Sequence, residues 1–439
     1  MGSKRQSLGE PAAAPGGIGE ERDQFHAGEE ASTLQVQDEV RSTTIDFPTE
    51  LLEEIFRIYI DGDFKIYADN PLLACSQVSR HWRFVALPLL WSNFSPNTHS
   101  VRTLRALASF LTASRLNSDG NVYDYASFVS TVYLGPWQVY WSFSDVPEAV
   151  THTVEILRLF SSNQLRKVVI SPYASSGYWI NIIQIVGPIF TTLASKIASI
   201  TYFEIKGVRE EIINLVQHLP FSLETLILEN HGTLTALFDR IHTLPNIRQI
   251  AITNAILTIP FPEALQLWGS NLSSICLLNC RGINDQILNT LATSCLNLTR
   301  LELRLNTFGA STINDEAMQR LVDACTSLEH LSCTDSLRIS DEFLKYCAAH
   351  KRRLRTIKLV RCKVTGKGVR DVSGWARMEL IIITDLSRAT ADELWWVLLR
   401  GCRALLLAQL GNTIYPQGYP PSLTFEEIAR DIYKYNYSI

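Results

Sequence analysis

From Leu223 to Leu410 the chain repeats one short pattern, apolar-x-x-apolar-x-apolar. The copies are Leu223/Leu226/Leu228, Ile247/Ile250/Ile252, Leu272/Ile275/Leu277, Leu298/Leu301/Leu303, Leu328/Leu331/Cys333, Leu354/Ile357/Leu359, Met378/Ile381/Ile383 and a weaker Leu405/Ala408/Leu410. Their starts lie 24, 25, 26, 30, 26, 24 and 27 residues apart. The second and third anchors are two residues apart, so in an extended strand both point to one side and their neighbours point to the other. One such strand cannot bury its apolar edge alone; stacked copies bury it against each other. Looser spacing carries the pattern backwards to Ile197/Ile200/Tyr202, Leu165/Val168/Ile170 and Val129/Val132/Leu134.

Between strands each repeat returns through a helix. Ile283-Asn284-Asp285 opens one with Ile287, Leu288, Leu291 and Ala292 on one face. Ile313-Asn314-Asp315 opens the next with Met318, Leu321 and Val322, and Ile339-Ser340-Asp341 a third with Phe343, Leu344 and Cys347. Asn or Ser before each Asp is suited to cap the orphan amides of a helix start, and the Asp suits its positive dipole end. Eight positions after the first anchor stand Cys280, Asn306 and Cys362, where a small hydrogen-bonding side chain can satisfy the turn after the strand. Ser336 and Leu386 depart from that rule. Cys295, Cys325 and Cys402 each fall three residues before an anchor and suit buried apolar positions. A mid-twenties period with these features resembles the leucine-rich repeat. The resemblance implies an α/β solenoid, a horseshoe of parallel strands with convex helices, over residues 97–414, irregular to about 220 and regular after.

Ahead of the array, Ile45 to Pro96 packs three helical patterns into about fifty residues. Pro48 opens the first, at a position whose amide has no helical partner; Leu51, Leu52, Ile55, Phe56 and Tyr59 follow at helical spacing between Glu50, Glu53 and Glu54. A second runs through Leu72, Leu73 and Val78, and a third through Trp82, Phe84, Val85 and Leu87, where Pro88 is expected to end it. So small a unit cannot bury that many large apolar side chains within itself. FPTELLEEIF followed by CSQVSRHWRFVALPLLW resembles the F-box, the module by which substrate receptors dock on the Skp adaptor of cullin-based ubiquitin ligases. Phe47-Pro48 replaces the usual Leu-Pro, and the polar segment Asp61 to Asn70 is longer than in many F-boxes. The resemblance implies an F-box-like domain at 45–96 that holds the adaptor through Phe47, Pro48, Leu51, Leu52, Ile55 and Phe56. Val78, Trp82 and Leu90 share that role with the module's own core. The cysteine-bearing repeats are similar to those of F-box leucine-rich-repeat proteins in particular. Two readings of the unit stand at this point: an adaptor dock, or an N-terminal cap of a repeat scaffold.

Residues 1–44 are rich in Gly, Pro, Ala, Ser, Glu and Gln and predict a disordered tail. Asn97 to Leu116 predicts a helix leaving the F-box-like unit, while the repeat register from 117 to 220 stays open. Trp137, Tyr140, Trp141 and Phe143 make an aromatic cluster suited to packing. After Tyr415, three prolines interrupt the array and Phe425, Ile428, Ala429 and Ile432 predict a capping helix in 415–439.

A net charge of −4 argues against nucleic acid or an anionic membrane as the main partner. With no long apolar run and no apolar leader, the chain is expected in the cytosol or nucleus, its nine cysteines free. The sequons at Asn93, Asn271, Asn297 and Asn436 then read as chance occurrences. No phosphate loop, dinucleotide fingerprint, HExxH or GxSxG occurs, so neither an enzyme nor a cofactor or metal is expected.

Strand positions beside the anchors form the concave surface of a horseshoe. Here they are Arg300, Glu302 and Arg304, then His330, Ser332 and Thr334, then Thr356 and Lys358. Lys351, Arg352, Arg353, Arg355, Arg361 and Lys363 add a basic neighbourhood. This surface either takes an acidic or phosphorylated segment of a target protein, gripped by arginine forks, or is a solvated charged rim.

Overall fold

The computed structural model describes residues 48–416 apart from 62–70, 117–122, 136–140, 143, 172–178, 208–214, 230–239, 258–259, 306–312, 351–352, 373, 385, 387 and 412. The described residues from Thr49 onward form one compact unit. Its spine is a sheet whose strands follow chain order: β1 (Asn93–Phe94), β2 (Thr131–Leu134), β3 (Lys167–Ile170), β4 (Tyr202–Lys206), β5 (Thr225–Glu229), β6 (Gln249–Thr253), β7 (Ser274–Cys280), β8 (Arg300–Leu305), β9 (His330–Thr334), β10 (Thr356–Val360), β11 (Leu380–Ile383), β12 (Leu407–Leu410) and β13 (Thr413–Pro416). Every pairing is parallel except the last, where β13 turns back on β12.

The register aligns the anchors. Val132, Val168, Phe203, Leu226, Ile250, Ile275, Leu301, Leu331, Ile357, Ile381 and Ala408 form one continuous row. Leu134, Ile170, Ile205, Leu228, Ile252, Leu277, Leu303, Cys333, Leu359, Ile383 and Leu410 form the second, two residues on. All are 2% exposed or less and share one core with the inward faces of the helices. Parallel strands need such crossovers, and the helices supply them.

The register corrects one sequence expectation. The copy before Leu223 is Ile200/Phe203/Ile205, not Ile197/Ile200/Tyr202, because Phe203 pairs with Leu226 and Ile205 with Leu228. Ile197 is also fully buried, so five residues, sharing Ile200, satisfied the pattern in two frames. Tyr202 stands on the open face of the sheet instead. The earlier backward copies hold their frames.

Three helices precede the sheet: α1 (Thr49–Asp61), α2 (Pro71–Val78) and α3 (Arg80–Leu90). Leu52, Phe56, Leu72, Val85, Ala86 and Leu87 are buried, and Phe56 meets Trp82 edge-on at 5.8 Å. Ser79 caps α3 by accepting from the Trp82 amide at 3.1 Å. Pro88 does not end α3, which continues to Leu90. A proline in the last turn removes one hydrogen bond but leaves no long following segment to break. The chain then enters the sheet at once: Asn93 and Phe94 pair with Thr131 and Val132, so the first rung of the solenoid lies inside the stretch assigned to the F-box-like unit. Trp91 packs on Phe110 at 5.9 Å and Tyr125 at 5.0 Å, with Phe110 on α4 (Val101–Leu116). Trp141 is buried and donates to the His99 carbonyl at 2.8 Å. Trp137, Tyr140, Phe143, the 1–44 tail and residues 417–439 of the expected cap lie outside the described residues, while Tyr415 and Pro416 belong to β13.

Polar side chains tie consecutive repeats together. Asn284 and Asn314 cap their helices by accepting from Ile287 and Ala317 amides at 3.1 and 2.9 Å. The Asp residues behind the caps do more than face a dipole. Asp315 accepts from the Ser340 amide and hydroxyl, and Asp341 from the Thr365 amide and hydroxyl, both at 2.6 Å. A Cβ at residue 368 would collide with Asp341, so Gly368 keeps the space for it. On the strand side, Cys280 donates to the Ile252 carbonyl at 3.3 Å and Cys362 to that of Cys333 at 3.6 Å, each reaching the preceding repeat.

Two outcomes test this account. Asp341→Ala removes two hydrogen bonds to a carboxylate and is expected to lower stability by about 1–3 kcal/mol, read as a shifted urea midpoint. Phe56→Ala empties a core position and is expected to lower it by about 3–5 kcal/mol; Ile55→Ala, one residue away and 45% exposed, is expected to change it by no more than about 0.5 kcal/mol.

Candidate functional site

On α1 the helical period splits the expected docking residues. Leu51 and Ile55 are exposed at 46% and 45%, whereas Leu52 and Phe56 face the module's own core at 1% and 4%. A partner cannot reach the latter two without opening the three-helix unit. Pro48 is exposed and Phe47 lies outside the described residues. On the other helices Val78 is exposed, while Trp82, against Phe56, and Leu90 are half-buried. Two further large apolar side chains are exposed here, Phe84 at 62% and Leu73 at 52%. Neither was in the expected set. The signal was present: Leu72-Leu73 and Phe84-Val85 are adjacent apolar pairs on helices, and adjacent residues point about 100° apart. One member of each pair must therefore leave a single buried stripe; Leu72 and Val85 are inside, Leu73 and Phe84 outside.

On the open face of the sheet, the structure brings the expected basic residues together but pairs most of them internally. Arg300 and Glu302, two residues apart on β8, are 3.5 Å apart and half-buried. Asp335 follows β9 with a left-handed φ of 67°, which Asp tolerates better than most residues. Its carboxylate is 4% exposed, bound by the Arg361 fork and 3.6 Å from Arg304. Thr334 is buried, His330 and Thr356 are half-buried, and Lys358 is half-buried with no ion pair among the described residues. Burial, then the charge of Arg300, lowers the His330 pKa, which keeps the ring neutral at pH 7. Arg300 is set against Glu302, and Arg304 and Arg361 against Asp335; with Lys358, these six side chains carry two more positive than negative charges.

A second cluster on the same face was hidden by the misframed repeat. Lys167 lies 4.1 Å over the Tyr202 ring, whose hydroxyl donates to Glu204 at 2.7 Å; Lys206 reaches Glu204 at 3.2 Å. Burial and Glu204 raise the Tyr202 pKa, so the phenol stays protonated. With Tyr202 taken as an inward anchor, these residues had no shared face.

None of these arrangements resembles a poised nucleophile. Burial pushes the Cys280 thiol up to about 11 and Cys295 to about 12, far from the thiolate a nucleophile requires. Among the described residues no group of three or more His, Cys, Asp or Glu is placed to hold a metal ion. No helix among them is long and apolar enough to cross a membrane.

Residues 45–97 match the F-box-like family. No curated protein matches the chain. Among solved structures, the yeast Rad7 and Elc1 complex aligns at 13% identity and a TM-score of 0.46, over 83% of this chain and 99% of that one. An internalin from Listeria monocytogenes aligns at 12% identity and a TM-score of 0.37, over 71% of this chain and 95% of that one. Residues 45–97 are an F-box-like domain, and the chain joins it directly to a leucine-rich-repeat solenoid of parallel strands.

Proposed function

We propose that the chain is the substrate-recognition subunit of an SCF (Skp–cullin–F-box) type ubiquitin ligase, working in the cytosol or nucleus. The observation that carries this reading is the set of large apolar side chains left exposed on all three helices of the F-box-like domain: Leu51, Ile55, Leu73, Val78 and Phe84. Fully burying one such side chain is worth about 1.5–3 kcal/mol, so a few of them supply a hot spot for an apolar partner. On this reading the Skp-type adaptor covers them and links the chain to a cullin scaffold. The open face of the sheet holds the target, and its surplus positive charge over β8 to β10 favours an acidic segment. Arg300, Arg304 and Arg361 are already held by carboxylates, which fixes them in place. Lys358 is the cation there with no ion pair among the described residues. The chain contributes proximity to target lysines rather than an acid, base or nucleophile.

Pull-down of the full chain with purified Skp adaptor is the test. The unmutated protein is expected to retain adaptor, and Ile55→Asp with Phe84→Asp to lose at least about tenfold in affinity, since each places a charge in an apolar contact. Both positions are exposed, so the thermal midpoint should hold. No retention by the unmutated chain would favour a repeat scaffold whose F-box-like domain only caps the array.

A further inference from the structure

Three residues before each strand, the middle repeats carry asparagine with a scaffold task. Asn246, Asn271 and Asn297 donate their side-chain amides to the carbonyls of Phe221, Pro245 and Ser270 in the preceding repeat, at 2.7, 3.3 and 2.9 Å. Two sequon asparagines, Asn271 and Asn297, thus have a structural reason to be there. The same position before β10 and β11 is arginine, Arg353 and Arg377, and before β12 it is Ala404. Both arginines are exposed and make no ion pair among the described residues.

These two arginines and Ala404 line a depression of about 460 Å³ with Glu329, Arg355 and Glu379. Three of its lining residues are tied together. Arg355 donates to Glu379 at 2.8 Å through Nε and again through its terminal nitrogen, and lies 3.8 Å from Glu329. These three residues each immediately precede a strand, in successive repeats. Both carboxylates of the depression thus engage Arg355, and neither captures Arg353 or Arg377. Ala404 leaves room where a third arginine would stand.

Equivalent positions on neighbouring strands are about 4.8 Å apart, so side chains from Arg353 and Arg377 can converge on one small anion. A carboxylate has only two oxygens and one charge to share between two guanidinium forks. A phosphate monoester has three terminal oxygens and close to two charges at pH 7, enough to engage two forks together. With three guanidiniums against two carboxylates, the depression has a net charge of +1 before any ligand enters. One such spot on a chain of net charge −4 suits a single phosphate rather than a polyanion.

We propose that this depression recognises a phosphorylated side chain of the protein held by the solenoid, with Arg353 and Arg377 as the ligand-binding residues and Arg355 as their fixed neighbour. The proposal rests on the target-holding role of the solenoid and not on the adaptor.

The test uses the full chain and three acetylated, amidated pentapeptides, Ala-Ala-X-Ala-Ala, with X as phosphoserine, serine or aspartate, alongside inorganic phosphate, all followed by titration calorimetry. Saturable binding of the phosphoserine peptide is expected, at least tenfold tighter than the serine and aspartate peptides. Arg353→Gln with Arg377→Gln is expected to weaken it at least tenfold with an unchanged melting temperature, while Arg102→Gln, on α4, leaves it unchanged. Absence of saturable phosphopeptide binding, or equal binding by the double variant, overturns the proposal. Inorganic phosphate binding as tightly as the phosphopeptide overturns the assignment to a phosphorylated protein segment. Adaptor retention by the same proteins separates the two readings: phosphopeptide binding with no adaptor retention defeats the ligase assignment alone.

Discussion

Everything in this molecule hangs on two rows of side chains. Each inner strand sends two apolar residues into the core, and parallel register lines them up with the same positions of its neighbours from Val132 to Ala408 and from Leu134 to Leu410. Each repeat is stabilised mainly by the repeats on either side, so the ends are where such an array is exposed. At one end the array is continuous with the three-helix unit through β1. At the other, β13 folds back antiparallel on β12, placing Pro416 opposite Leu407. A proline in the terminal strand removes a backbone donor that another chain would use to extend the sheet.

The solenoid was legible because its period is a packing requirement. Leu223 to Leu410 repeats wherever two strand residues must face inward, and the structure keeps every one of those frames. The frame failed at Tyr202, where Ile197 and Ile200 supplied buried apolar residues ahead of the strand and a second alignment scored as well. Hydrophobicity does not separate a core anchor from an aromatic residue on a half-covered sheet face. Which face a residue takes is set by pairing with β3 and β5, which is tertiary information. On the F-box-like helices, composition showed a surplus of apolar surface but not its direction. Leu52 and Phe56 matched the motif as well as Leu51 and Ile55 did, and the helical phase relative to α3 separates them.

Ion pairing was the least legible layer. From sequence, Arg300 and Arg304 stood on the concave strand surface, with Arg355 and Arg361 in a basic neighbourhood added to it. The fold sets each beside a carboxylate from its own or an adjacent repeat: Glu302, Asp335, Glu379 and Asp335 respectively. Asp335 is distant in sequence from Arg304 and is brought to it only by strand stacking. The same stacking turns Asp315 and Asp341 from helix-dipole residues into inter-repeat ties. In a solenoid, a charge is best judged against the equivalent positions one repeat before and after it. By that standard Arg353 and Arg377 stand out, because they occupy a position where three other repeats place a scaffold amide.

The junction between the helices and the sheet bears on how a receptor of the proposed kind would act. β1 follows α3 after two residues, and Trp91 is gripped by Phe110 and Tyr125. No flexible Gly/Ser stretch separates the exposed apolar residues of the F-box-like domain from the first rung of the array. A flexible linker would spread the target over many orientations and dilute its effective concentration at a distant active centre. In a receptor of the proposed kind, a fused junction would hold the adaptor face and the target face in one geometry, so that target lysines within reach are chosen by position rather than by chance encounter. On that reading the aromatic clasp around Trp91 belongs to the receptor's selectivity as much as to its stability.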